Sequence, residues 1–303
     1  MRQGPKGAVL DEVIAVVGPT ASGKTELAIA LASKLDGEIV SADSRQVYRR
    51  LDAGTAKPPR GLPVAYHMID VVEPSEAYDA GRFGAAAREL FDEIRARGRR
   101  PILCGGTGLY ARAALDGLSP LPRRDEALRR RLAQDPEALR RKLASVDPQA
   151  AASIPPGNVQ RAVRALEVYE LTGKPISAHW REGRARALPR KILSIRWETQ
   201  ALSARIEARA RALWPALLLE AERLLAGGYK GDEPGFQSLG YPEAVACARG
   251  EMSGPEGLAS MIKQTLAYAK RQRTWFRHQL GPSFEITGGD TGSMLAQALE
   301  VLL

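Results

Sequence analysis

The chain has 303 residues, room for one large α/β domain with an appendage. With 44% hydrophobic and 26% charged residues it reads as an ordinary soluble globular protein. No apolar run approaches a membrane span, and the start Met1-Arg2-Gln3-Gly4-Pro5-Lys6 lacks the apolar core of a signal peptide. The net charge of +9 is an excess that a small-metabolite enzyme does not need and a polyanionic partner would use. Cys104 and Cys247 sit in apolar surroundings and suggest no disulfide framework, so a cytoplasmic protein with reduced thiols is expected.

In chain order, the apolar run Val13–Val17 predicts a strand and Thr25–Leu35 a helix. Between them stands Gly18-Pro19-Thr20-Ala21-Ser22-Gly23-Lys24-Thr25, a G-x-x-x-x-G-K-T segment in the strand–loop–helix context of a phosphate-binding loop. Glycines at both ends let successive N–H groups converge on one anion. The helix N-terminus and Lys24 add positive charge, and the Thr25 hydroxyl is placed to hold a magnesium ion. Further strands are predicted at Glu38–Ser41, His67–Val71 and Pro101–Cys104, with a helix at Ala80–Arg97. This alternation implies a parallel sheet with helices on both faces and a ligand at the carboxyl ends of the strands. After Gly117-Leu118-Ser119-Pro120-Leu121-Pro122 the composition changes. Residues 123–190 read as a helical, arginine-rich insertion broken by Pro136, Pro148, Pro155, Pro156 and Pro175. A strand at Lys191–Trp197 returns the chain to a core made of 1–122 and 191–303, and helices then run to the C-terminus around a loop at Gly227–Gly235. The fold class expected is a P-loop NTPase-like α/β core with a mostly helical insertion.

Four further segments bear on chemistry. Asp43-Ser44-Arg45-Gln46-Val47-Tyr48 falls where the second strand ends; from position alone Asp43 suits a magnesium ligand, a general base or a buried structural partner equally. Gly105-Gly106-Thr107-Gly108-Leu109-Tyr110 follows the strand at Pro101–Cys104. An ATP-hydrolysing enzyme of this architecture carries an acidic magnesium ligand at such a strand end; here only Asp70 is a nearby substitute. Thr107 suits either a substrate hydrogen bond or a helix N-cap. Gln160-Arg161-Ala162-Val163-Arg164 lies on a helix with Arg161 and Arg164 on one face, as a solvated face would also have. Lys263 to Leu280 holds Lys263, Lys270, Arg271, Arg273 and Arg277 with Trp275 and Phe276 and no acidic residue, a mixture suited to phosphates and unstacked bases.

Taken together these segments resemble the bacterial tRNA dimethylallyltransferase family, also called tRNA isopentenyltransferases. The match rests on GPTASGKT at Gly18–Thr25, DSRQVY at Asp43–Tyr48, HMIDVVEP at His67–Pro74, GGTGLY at Gly105–Tyr110, QRAVRALE at Gln160–Glu167 and AKRQRTWFRH at Ala269–His278. The resemblance implies transfer of a dimethylallyl group from its diphosphate to the N6 amine of the adenosine 3′-adjacent to the anticodon. It implies Asp43 as general base, Thr107 beside the reacting centre, and the loop from Gly18 to Thr25 as diphosphate site with Mg2+ on Thr25. It also implies tRNA contacts at Asp43, Ser44, Arg45, Gln46, Thr107, Arg129, Gln160, Arg161, Ala162, Val163 and Arg164; the basic C-terminal stretch adds Lys270, Arg271 and Arg273. The expected partners are dimethylallyl diphosphate and the tRNA anticodon stem-loop, with no membrane, for a cytoplasmic monomer. The alternatives are a P-loop kinase or an adenylate isopentenyltransferase acting on free nucleotide, neither of which needs so long a basic surface. Thr199 stands where many relatives have an arginine, and the leader before Val13 has no counterpart in the family pattern.

Overall fold

A computed structural model describes residues 11–59, 61–118, 121–184 and 187–303, the side chains of 183 and 184 excepted. The leader to residue 10, and Ser119 and Pro120 of the junction at 117–122, lie outside the described residues. The chain forms two compact units, Met1–Leu115 with Leu188–Leu303, and Asp116–Ala187.

In the first unit, Val13–Val17 forms β1, buried at every position as befits a strand covered on both faces. A helix α1 (Lys24–Leu35) follows the phosphate loop and presses Leu27, Ala28, Leu31 and Ala32 onto the sheet. The chain then forms β2 (Gly37–Ser41), the short β3 (Tyr66–His67), α2 (Ala80–Ala96), β4 (Arg100–Gly105) and α3 (Gly108–Leu115). Asp79 starts α2 by accepting from the amides of Gly81 and Arg82, and Phe83, Ala87, Phe91 and Ile94 form its buried stripe.

The second unit is all helical: α4 (Glu126–Ala133), α5 (Pro136–Val146), α6 (Pro148–Ser153), α7 (Val159–Thr172) and α8 (Ile176–Arg184). It has its own core of Leu139, Leu143, Ile154, Val163, Leu166, Val168 and Ile176. Pro136 and Pro148, expected to break helices, instead begin them: each stands in a first turn behind an aspartate cap, Asp135 or Asp147, where a missing N–H costs nothing.

Back in the first unit come β5 (Arg190–Arg196), α9 (Thr199–Ala226), α10 (Tyr241–Ala248) and α11 (Gly254–Trp275). A single turn of π-helix at Phe276–Leu280, β6 (Phe284–Thr287) and α12 (Thr291–Leu302) complete it. The sheet order is β3-β2-β4-β1-β5-β6, all parallel. The chain lays β2, β3 and β4 on one side of β1 and then β5 and β6 on the other, so the strand order reverses at β1, the position beyond whose carboxyl end such sheets bind ligands.

Two predicted elements need correction. The strand at His67–Val71 ends after His67, because Met68 (φ 65°) and Asp70 (φ 57°) turn into left-handed conformations that no strand accommodates. Helices do not run unbroken to the C-terminus: β6 adds an edge strand along β5, with Leu193 opposite Phe284. Only Ile286 of its four residues is buried, so it carries almost no apolar pattern.

Gly105, the last residue of β4, shows how tightly the strand ends are fitted. A Cβ there would lie 2.1 Å from the carbonyl oxygen of Ala42, main chain against main chain. Gly105→Ala should therefore lower unfolding stability by about 3 kcal/mol, measured by chemical denaturation. Gly157→Ala, where a methyl meets nothing within 4 Å, should change it by less than about 0.5 kcal/mol.

Candidate active site at the carboxyl ends of the strands

The loop between β1 and α1 is shaped by Gly18 (φ 155°), Gly23 (φ 88°) and the left-handed Ala21 (φ 62°). Three of its carbonyls are taken up by side chains. Lys24 Nζ donates to the Pro19 oxygen (2.7 Å), Arg205 Nε to the Ala21 oxygen (2.9 Å) and Trp197 Nε1 to the Ser22 oxygen (3.0 Å). Arg205 also stacks on the Trp197 ring at 4.5 Å. Burial holds the Lys24 ammonium below the ordinary lysine range against the pull of Asp43, while Arg209 pushes it the same way as burial. Behind it, burial raises the Cys104 thiol to about 11, so it faces Lys24 as a neutral group. Tyr66 stands among Cys104, Asp43 and Thr25, its phenol pushed well up by burial.

Beyond β2 the chain turns sharply through Asp43–Gln46. Asp43 Oδ1 accepts the Arg45 amide (2.8 Å), and Thr107 Oγ1 accepts the Ser44 amide (3.0 Å) and approaches Ser44 Oγ at 3.2 Å. The Thr107 amide donates to the Ala42 oxygen (3.1 Å). Its hydroxyl thus serves the neighbouring turn rather than capping α3. Gln46 is buried: it accepts from Ser41 Oγ (2.9 Å) and donates to the Thr55 and Ala56 oxygens (3.3 and 3.2 Å). Arg45 reaches the Pro234 oxygen at 3.3 Å. Tyr268 of α11, its phenol raised by burial and then by Asp43, closes this side, with the Arg271 guanidinium 5.7 Å from its ring centre.

Residues 52–57 are tied down in turn. Glu220 on α9 accepts the amides of Asp52 (3.0 Å) and Ala53 (3.0 Å) and the Tyr241 hydroxyl. The Lys57 side chain, 7% exposed, donates to Asp70 (2.6 Å), Asp52 (2.5 Å) and the Tyr48 oxygen (2.7 Å). Asp70, the one acidic candidate for a metal near that strand end, is therefore engaged by a buried ammonium.

In the basic stretch, Lys270 and Arg271 are exposed, whereas Arg273 Nη1 donates to Thr199 Oγ1 (2.9 Å). Within the insertion, Arg129 (3.2 Å) and Arg164 (2.7 Å) both grip the fully buried Glu167, and Arg164 also holds the Pro122 oxygen. Ala162 and Val163 turn into the insertion core, while Gln160 and Arg161 are exposed. Of the predicted tRNA-contacting residues on this helix, then, only Gln160 and Arg161 have exposed side chains.

Sequence reasoning passed over Trp197, Arg205, Lys57, Glu220, Tyr268 and Gln272. Gln272 stood inside the quoted AKRQRTWFRH, between residues read only for charge; the others belong to no local pattern.

The sheet order and the loop between β1 and α1 define a P-loop fold, with the Asp43 and Thr107 turns gathered at the neighbouring strand ends. The family model for IPP transferase matches residues 46–279 and that for isopentenyl transferase residues 11–61. The chain belongs to the IPP transferase family. It is 44% identical to the tRNA dimethylallyltransferase of Roseiflexus sp. (strain RS-1) over 96% of this chain and 97% of that one. With that of Geobacillus kaustophilus (strain HTA426) it shares 42% over 96% and 95%. The crystal structure of the tRNA isopentenylpyrophosphate transferase from Bacillus halodurans superimposes with a TM-score of 0.71 at 34% identity, covering 96% and 95% of the two chains. A eukaryotic dimethylallyltransferase acting on tRNA gives 0.81 at 25% identity, covering 96% and 77%.

The Glu167 cluster makes a pH prediction. Burial alone would raise its carboxyl, but hydrogen bonds from Arg164 and the Asp125 amide, with the charges of Arg164 and Arg129, leave it below the ordinary value. Its stabilisation is therefore complete above the unfolded carboxylate range, about pH 4.3, and is lost as pH falls through the lower folded value. Glu167→Gln should destabilise by about 3 kcal/mol at neutral pH. The gap to wild type should close on acidification, as followed by denaturant titrations across pH.

Proposed function

We infer that this protein transfers the dimethylallyl group of dimethylallyl diphosphate to the N6 amine of the adenosine 3′-adjacent to the anticodon in tRNA, releasing diphosphate. The observation that carries the reading is the closeness of the two halves of that reaction: the phosphate loop follows β1 and the Asp43 turn follows β2, the two strands that flank β4, and Thr107 after β4 accepts the Ser44 amide of the Asp43 turn (3.0 Å). A leaving-group site and a candidate proton acceptor thus share one crevice.

In this reading the bond from the allylic C1 to the diphosphate oxygen breaks as the N6 lone pair forms the new C–N bond. The charge gathering on the diphosphate is met by loop amides, the α1 N-terminus and Lys24. The adenine amine is a weak nucleophile that becomes acidic as it bonds, and Asp43 takes its proton, with Thr107 beside the reacting centre holding the Ser44 turn in place. The target base leaves its stack to reach the carboxylate. Among the described residues no three His, Cys, Asp or Glu side chains gather to hold a metal. Magnesium would accordingly rest on the Thr25 hydroxyl and on diphosphate and water oxygens, a hard-oxygen set that suits it. Bound there, it would neutralise charge on the departing diphosphate. Among the described residues no helix is long and apolar enough to cross a membrane, consistent with a cytoplasmic enzyme; we take it to act as a monomer. The tRNA is taken to meet exposed Lys270, Arg271, Gln160 and Arg161.

The direct test is incubation with labelled dimethylallyl diphosphate and unmodified tRNA, AMP or ATP. Label on the anticodon-loop adenosine is expected; label on AMP would turn the assignment to an adenylate isopentenyltransferase, and phosphoryl transfer from ATP to a kinase. Asp43→Asn should slow single-turnover transfer by about 10²–10⁴ with little change in diphosphate affinity. Full rescue by added magnesium would make the carboxylate a metal ligand instead. Affinity for tRNA should fall steeply with salt, and neutralising Lys270 and Arg271 together should flatten that dependence while sparing diphosphate binding.

A further inference from the structure

Between exposed Lys270 and Arg271 on one side and Arg273 on the other, Gln272 turns inward and is only 6% exposed. An amide buried to that degree needs partners for both ends. Its Oε1 accepts the backbone amide of Thr20 in the phosphate loop (2.9 Å), and its Nε2 donates to the Gly106 oxygen in the turn that carries Thr107 (2.8 Å). The turn is built for this contact. A Cβ on Gly106 would lie 2.4 Å from Nε2, and one on Gly108 would lie 2.1 Å from the Trp275 ring on the next turn of α11. Two glycines of Gly105-Gly106-Thr107-Gly108 are thus needed to admit the helix.

The two partners of Gln272 belong to the two sides of the reaction. Thr20 is in the loop whose amides receive the diphosphate, and its own amide is oriented by Gln272. Gly106 precedes Thr107, which bonds the turn holding Asp43. We propose that Gln272 is a positioning residue for the transfer: by spanning the phosphate loop and the Gly106–Thr107 turn, it sets the separation between leaving group and proton acceptor. The inference rests on the transfer reaction assigned above. In-line displacement is sensitive to that separation, since a misplacement of about 1 Å can cost about a hundredfold in rate. The residue touches neither substrate in this scheme, so its effect falls on the rate at saturation.

Gln272→Leu keeps the bulk and removes both hydrogen bonds. Gly106→Ala changes no residue of the helix and pushes on the same amide from the other side. Both should slow single-turnover transfer at saturating dimethylallyl diphosphate and tRNA by about ten- to a hundredfold per folded molecule, with tRNA affinity within about twofold of wild type. Gln272→Glu keeps an acceptor for Thr20 but opposes an oxygen to the Gly106 carbonyl, so it should not restore the rate. A wild-type rate per folded molecule in Gln272→Leu, even with lowered thermal stability, would overturn the proposal. So would a loss of tRNA affinity matching the loss of rate, which would assign the residue to RNA binding. If Gln272→Leu does not fold, Gly106→Ala decides; failure of both to fold would make Gln272 a stability residue and overturn the proposal. Absence of transfer by the wild-type protein would instead strike at the reaction assigned above.

Discussion

A loop that offers its amides to an anion must dispose of its carbonyls elsewhere, and much of the core is arranged around that constraint. The oxygens of Pro19, Ala21 and Ser22 are taken by Lys24, Arg205 and Trp197. Their donors come from α1, from α9 and from the end of β5. Two of the three donors are cations, so the satisfied carbonyls also carry positive charge toward the site. The same demand fits the packing of α9 and α11 against the phosphate loop, where Leu202, Ile206 and Ala269 cluster with Ala21: without Arg205 on α9 the Ala21 oxygen would lose its partner.

A second brace holds the turn at Asp43–Gln46. Gln46 ties it to Ser41 and to the oxygens of Thr55 and Ala56, and Lys57 and Glu220 secure the following loop. These contacts come from three regions of the chain and leave Asp43 half-buried, with one oxygen committed to the Arg45 amide. Braced backbone around a carboxylate that stays accessible suits the proton transfer proposed for it.

The positive excess divides into two populations. Arg129, Arg164, Arg97 and Lys57 are spent on buried or half-buried carboxylates: Glu167 in the insertion, Glu38 and Asp70 in the core. Such pairs are costly to bury and more costly to break, so these cations maintain local structure. Lys270, Arg271 and Arg161 are exposed and supply the field that a polyanion would meet.

The local backbone of the candidate site was legible in the sequence. The strand, the glycine-bounded loop and the helix stand where predicted, because the geometry needed there is written in adjacent residues. The helices at Thr25–Leu35 and Ala80–Arg97, and the buried strands at Val13–Val17 and Pro101–Cys104, were equally plain. The edge strand Phe284–Thr287 was not, because four residues with a single buried side chain show no period. Nor was the early end of the strand at His67, since Met68 and Asp70 take left-handed conformations without a glycine to announce them. The parallel order of β2, β4 and β1 brings Asp43, Thr107 and Lys24 to the same carboxyl end of the sheet. What only the tertiary structure decided is who holds them there. Arg205, Glu220 and Gln272 act across separations of more than a hundred residues, and hydrogen bonds between such distant partners leave no periodicity to read.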